Sequence, residues 1–238
     1  MKQRLSILVL TALAALVVGC GGSDDDDVVF NPGNTGGGNV VATTFLRLAH
    51  FVPAATNYDV YVNDQLVLSN LTYGQFTDYL AVATNARVEV TQAGNRNNVR
   101  LTRTLSGTPN GYGTLALTGN TTNVLGVVFP DAVAESNVQS SIRLVNASED
   151  SFTISLTRTD ATVVVGSVTY PDATNYAQVA PGTYDLEVRD GSNNVIATET
   201  GVVLDAGVNY SAYFYGTEGT ATQELVVVAD LTTQGRPG

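Results

Sequence analysis

Apolar and polar residues begin to alternate with a period of two at Thr44. Leu46, Leu48 and His50 alternate with Arg47, Ala49 and Phe51, and Tyr58, Val60 and Val62 alternate with Asp59, Tyr61 and Asn63. Val88 and Val90 flank Glu89 in the same way. Successive side chains of a strand point to opposite faces, so each run reads as a strand with one face turned to a core. Val, Thr, Tyr and Leu dominate the runs, and polar turn clusters such as AGNRNN (93–98) and TGNTTN (118–123) separate them. Nowhere are apolar residues kept at i, i+3, i+4 and i+7 for the length of a helix. The expected class is all-β.

The pattern then repeats. Leu46-Arg47-Leu48-Ala49-His50 returns 96 residues later as Ile142-Arg143-Leu144-Val145-Asn146, and Leu71-Thr72-Tyr73-Gly74 returns 97 residues later as Val168-Thr169-Tyr170-Pro171. Arg87-Val88-Glu89-Val90 matches Asp185-Leu186-Glu187-Val188 at 98, and Val127 to Asp131 matches Val226 to Asp230 at 99. Offsets that drift by so little imply one strand order used twice, with small loop changes. Each copy has room for seven or eight short strands, the signature of a β-sandwich. The expected organisation is a leader (1–19), a disordered tether (20–43), a first sandwich (44–131), a linker (132–140), a second sandwich (141–232) and a disordered tail (233–238). Each copy is expected to own a separate core.

Residues Leu46 to Val82, LRLAHFVPAATNYDVYVNDQLVLSNLTYGQFTDYLAV, resemble the opening of the domain-of-unknown-function 4397 group of bacterial secreted proteins, and VAPGTYDLEV (179–188) carries the resemblance into the second copy. The second copy departs from it in Asn146-Ala147-Ser148, which has no proline, and in Phe152 to Leu156 where the first has its DVYV strand. The resemblance implies an extracytoplasmic, immunoglobulin-like or transthyretin-like β-sandwich and no established activity.

The amino terminus is patterned differently. Lys2 and Arg4 precede an apolar run from Leu5 to Val18, and Gly19 stands before Cys20, the only cysteine of the chain. Spanning a bilayer takes about 20 apolar residues, so the short run reads as a secretory signal rather than a transmembrane helix. Val17-Val18-Gly19-Cys20 resembles the lipobox of bacterial lipoproteins. That resemblance implies cleavage before Cys20, diacylglycerol on its sulfur and acylation of the freed amine by a chain such as palmitate. Two or more chains anchor stably where one binds marginally. With Gly21 rather than aspartate after the cysteine, the family's sorting rule implies delivery to the outer membrane. Residues 21–41, rich in Gly, Asn and Asp, have the composition of a disordered spacer.

Charge narrows the partners. Once Lys2 and Arg4 leave with the signal, nine arginines stand against 22 carboxylates. Such acidity argues against nucleic acid, whose binding rests on neutralising phosphates. Lipidated Cys20 leaves no thiol for a disulfide, so stability has to come from buried core.

The chemical inventory is thin. His50 is the single histidine, and Asn146 takes its place in the second copy, so it reads as a hydrogen-bonding group at a strand end. No nucleophile elbow, phosphate loop or dinucleotide fingerprint occurs. The run Asp24 to Asp27 lacks the interleaving of a calcium loop. Asp190-Gly191-Ser192-Asn193-Asn194 has oxygen ligands at the first, third and fifth places but Val195 at the sixth and Gly201 at the twelfth, so a tight hairpin is expected there. The eleven tyrosines are expected in cores and corners rather than as a sugar-stacking face. No catalytic, cofactor or metal residue is assigned; the one assigned site is Cys20. Arg47 and Arg143, like Glu89 and Glu187, occupy matching outward positions, and the expectation is two cross-strand pairs, Arg47–Glu89 and Arg143–Glu187. The competing expectation is that the arginines face an anionic ligand. The leading functional expectation is a non-catalytic structural or interaction module of the cell envelope, held to the membrane by Cys20. A glycan- or peptide-binding module is the alternative, and a hydrolase is less favoured.

Overall fold

In the computed structural model the described residues are 41–149, 153–160, 162–217, 220 and 222–236. The leader, Cys20 and Asp24 to Asp27 lie outside them. Each alternating run forms a strand, and no helix occurs among the described residues. The first copy contains Thr43–His50 (β1), Tyr58–Val62 (β2), Gln65–Leu71 (β3), Leu80–Ala83 (β4), Arg87–Gln92 (β5), Asn95–Thr104 (β6), Tyr112–Gly119 (β7) and Val124–Asp131 (β8). The second contains Ser140–Asn146 (β9), Ile154–Arg158 (β10), Val163–Val168 (β11), Ala177–Val179 (β12), Gly182–Asp190 (β13), Val195–Leu204 (β14), Val208–Tyr215 (β15) and Glu224–Thr232 (β16).

The repeated sequence gives a repeated topology. One sheet of each copy runs β4-β1-β7-β8 or β12-β9-β15-β16, and the other runs β3-β2-β5-β6 or β11-β10-β13-β14. The β1–β7 and β9–β15 pairings are parallel. Leu46 and Leu48 meet Val60, Val88, Val90, Leu115 and Leu117 between the first two sheets, and Ile142 and Leu144 meet Leu156, Leu186, Val188 and Phe214 between the second two. Each copy thus encloses its own core. The β2–β3 turn, Asn63-Asp64, has φ of 47° and 66° at its two residues, the left-handed pair that matches the twist of a two-residue hairpin.

Boundaries shift a little. Thr43 and Ser140, placed in tether and linker by pattern, open β1 and β9. Residues 233–236 form a turn, with the Thr233 amide donating to the Gly207 carbonyl at 3.1 Å, where a free tail is expected from composition.

The larger finding concerns the outward faces. Arg47 and Ala49 do point away from the first core, yet they are 4% and 0% exposed. The outer face of the β1 sheet packs on the outer face of the β9 sheet. Ala49, Phe51, Ala116 and Phe129 of the first copy form a third cluster with Val145, Ala147, Tyr213 and Tyr215 of the second. The four sheets stack in four layers, and residues 40–238 form one compact unit.

This contact is reciprocal in position and unequal in size. Phe51, Ala116, Thr118 and Phe76 answer to Ala147, Tyr213, Tyr215 and Ala173 of the other copy. At one end Phe51 stacks on Tyr215 with centroids 4.5 Å apart, and Phe76 lies edge-on to Tyr213 at 5.1 Å. At the other, the Thr118 hydroxyl donates directly to the Ala147 carbonyl. Gly74 serves the ringed end: its φ is +76° and a Cβ there would come within 3.1 Å of the Tyr215 hydroxyl.

Candidate functional site

A buried group of four charged side chains lies in the layer between the copies. Arg47, at the centre of β1, donates from Nε to Thr114 Oγ1 on the parallel neighbour β7 at 3.0 Å, from Nη1 to the Ala229 carbonyl at 3.0 Å and from Nη2 to Asp230. Arg143, at the centre of β9, does the same in return: Nε to Ser211 Oγ at 2.7 Å, Nη1 to the Pro130 carbonyl at 2.6 Å and Nη2 to Asp131. Asp131 also accepts from Thr114 at 2.8 Å and from the Tyr79 hydroxyl at 2.7 Å. Asp230 accepts from Ser211 at 2.5 Å and from the Tyr176 hydroxyl at 2.9 Å. Each arginine of one copy therefore holds the terminal aspartate of the other.

The cross-strand Arg–Glu pairs do not form. β1 and β5 belong to different sheets, as do β9 and β13, so Arg47 and Glu89 lie on opposite sides of their sandwich. Glu89 pairs with Arg87 and Arg96, and Glu187 with Arg189 at 2.5 Å. Nor do Arg47 and Arg143 stand unpaired, since every nitrogen of both guanidinium groups is hydrogen-bonded within the protein.

Burial works against the charge on Arg47, while the phenols of Tyr213 and Tyr79 and the carboxylates of Asp230 and Asp131 favour it; the balance holds its pKa above the ordinary range. Arg143 is raised in the same way. Burial, followed by the neighbouring Asp131, raises the Asp230 pKa, and the two guanidinium groups oppose the rise. Burial and the nearby carboxylates push the Tyr79 and Tyr176 hydroxyls up, so both stay protonated as donors. Two cations and two carboxylates, each with several partners, make a neutral interlock. They are not a poised acid–base pair.

The other candidates from sequence resolve as local structure. His50 is fully buried, and its Nδ1 accepts from the Val52 amide at 3.2 Å. Asn146 Oδ1 accepts from the Ser148 amide at 3.2 Å, two residues on in the same way. Burial lowers the His50 pKa to about 4, against a small opposing effect of the Thr56 backbone. Asp190 Oδ1 accepts from the Ser192 and Asn194 amides at 2.9 and 2.8 Å, so the hairpin itself occupies that carboxylate. Those hydrogen bonds lower its pKa, the Asn194 side chain first. Among the tyrosines, Tyr58, Tyr213 and Tyr215 lie in cores, and Tyr73 and Tyr184 donate to the carbonyls of Thr222 and Ala180. No aromatic ring is among the exposed large hydrophobic side chains of the described residues.

Two hollows were not legible as sites. A groove of about 390 Å³ runs between Val127 to Pro130 on the edge strand β8 and the 171–176 loop, with Arg143 at its base. Its counterpart in the other half is filled by Phe76, for which the second copy has Ala173. We expect Ala173→Phe to raise stability by about 0.5–2 kcal/mol by filling the groove, read as a higher urea midpoint; a lower midpoint would show that the ring does not fit there. The second hollow, of about 270 Å³, lies at one end of the first sandwich beside Tyr58 and Arg100. Aligning the copies was the available signal for both, since Ala173 and Phe76, or Ile154 and Tyr58, are unlike residues at matching places.

A family model described as "Domain of unknown function (DUF4397)" matches residues 44–157 and again 140–238. No curated protein matches the chain. Among solved structures, a likeness extends to the family 26 carbohydrate-binding module CBMbc of Eubacterium rectale Amy13K, solved in complex with maltoheptaose. It shares 9% identity and a TM-score of 0.26, over 82% of this chain and 100% of that one. At that level it says nothing of what this chain binds.

Proposed function

Since the chain belongs, through both its copies, to the DUF4397 family of domains of unknown function, we propose that it is a non-catalytic lipoprotein of the cell envelope, displayed as one rigid interaction or structural module. The observation that carries this reading is the interlock. Arg47, Arg143, Asp131 and Asp230 are committed to joining the copies, and His50 to a strand end, so the groups best suited to chemistry already serve the fold. The outermost sheet faces carry hydrophilic side chains such as Arg87, Thr102, Glu187, Arg189 and Thr198, with Val99, Val195 and Val203 exposed singly among them. Such faces suit a body held in water on a tether.

The lipid attachment at Cys20 rests on the leader and its lipobox resemblance. Cys20→Ser should move the protein from the membrane to the soluble periplasmic fraction, and the wild type should incorporate labelled fatty acid. A wild type that takes up no label and fractionates as soluble protein would remove the anchor from this reading.

A further inference from the structure

The hollow at the end of the first sandwich is lined by residues that the second copy does not repeat at the matching positions. Thr56, Tyr58, Gln92, Arg100 and Thr121 supply its polar wall, and none of its lining residues is a carboxylate. In a chain of net charge −11, that selection of donors is notable by its sign. Arg47, Arg87, Arg96, Arg143, Arg158 and Arg189 all have carboxylate partners. Arg100, like Arg103, has none among the described residues and donates to a backbone carbonyl, that of Thr121.

Three further observations fall on the same place. Tyr58 is 1% exposed, and its hydroxyl faces the Arg100 guanidinium without completing a hydrogen bond of good geometry, a state that costs the free protein stability. The Gln92 carbonyl oxygen accepts from Asn98 at 2.6 Å, which leaves its amide N–H groups for another acceptor. Ala54, on the wall, has a φ of 57°, a left-handed backbone that a residue with a Cβ adopts at a cost and that gathers at ligand sites. The second copy shows that a sandwich end does not need any of this. Ile154 and Ile196 replace Tyr58 and Arg100, and Asp190, in place of Gln92, is bound up in its own hairpin.

We infer that this cavity binds a small carboxylate, whose oxygens accept from the Arg100 guanidinium, the Tyr58 hydroxyl and the Gln92 amide. A planar carboxylate suits a guanidinium, and a charge-assisted hydrogen bond is the strong kind. The site deepens the interaction reading above and is independent of the lipid anchor, so the fractionation experiment and the following one fail separately.

The test is thermal melting of the full chain in detergent, with sodium acetate, inorganic phosphate or sodium chloride at matched ionic strength. Acetate should raise the melting temperature saturably beyond chloride. Arg100→Gln should weaken the apparent affinity roughly tenfold or more, the loss of a charged hydrogen bond. Tyr58→Phe should melt at or above the wild type without acetate, because it deletes a poorly satisfied hydroxyl, and should respond less to acetate. Equal effects of acetate and chloride, a response to phosphate alone, or an undiminished response in Arg100→Gln would overturn the assignment. Should Arg100→Gln not fold, Tyr58→Phe decides: a reduced acetate response supports the site and an undiminished one removes it.

Discussion

Asp131→Ala should destabilise the full chain by about 3–5 kcal/mol, the usual result of stranding a buried charge by removing its partner. The carboxylate of Asp131 is fully buried and holds Arg143, Thr114 and Tyr79, with Arg47 Nη2 a further 3.9 Å away. Without it the Arg143 guanidinium, 4% exposed, keeps only neutral acceptors. Urea denaturation gives the number, and Asp131→Asn, which keeps the shape, separates charge from packing. Asp160→Ala is the control: Asp160 faces Arg158 at 3.7 Å with both side chains about half exposed, and its loss should leave the midpoint unchanged. If Asp131→Ala behaved like that control, the interlock would not hold the copies together.

The second large effect depends on pH. His50 has a pKa of about 4 in the folded chain, against an ordinary 6.5. Between these values the unfolded chain binds the extra proton and the folded chain does not, so stability rises with pH through that window. The contribution is present above pH 6.5 and is lost as pH falls through 6.5 towards 4. Its full size is about 3 kcal/mol. Asp230, whose folded pKa is raised, has the opposite sign: it favours the folded chain as pH falls below its folded value. The clean measurement is therefore the difference between wild type and His50→Asn, by urea denaturation from pH 7.5 to 4. Asn146 already performs the same turn in the second copy, so the variant should fold at neutral pH and should lose less stability on acidification. A difference that stays flat across the window would mean that His50 is not held neutral by burial.

The period of two located the strands, and the drift of a few residues in the repeat offset located both copies, because each core needs one apolar face per strand. The same rule misread the other face. Arg47 between two leucines reads as a solvated position, and it does point away from its own core. What covers it is another copy 96 residues away, and alternation within one strand carries no trace of that. A weaker signal was present. Leu115-Ala116-Leu117 in β7 and Tyr213-Phe214-Tyr215 in β15 are apolar on both faces, the mark of strands buried on both sides. The Arg–Glu pairing failed for a topological reason: matching positions in two copies show that residues are equivalent, not which strands are neighbours. The carboxylate pocket rests on Tyr58 meeting Gln92 and Arg100 across strands and loops, which only the fold assembles.

The unequal rings between the copies bear on association. Had the copies remained identical, each could pair with its like across an isologous surface, and molecules could join through their first copies or through their second. Their divergence withdraws that option. First copy on first copy would set Phe51 against Thr118 at both ends, and neither the Phe51–Tyr215 stack nor the Thr118–Ala147 hydrogen bond could form. The stack and the hydrogen bond each join unlike copies, and one chain carries one of each. The pairing closes on itself within the molecule and leaves these two faces no valence for a second chain.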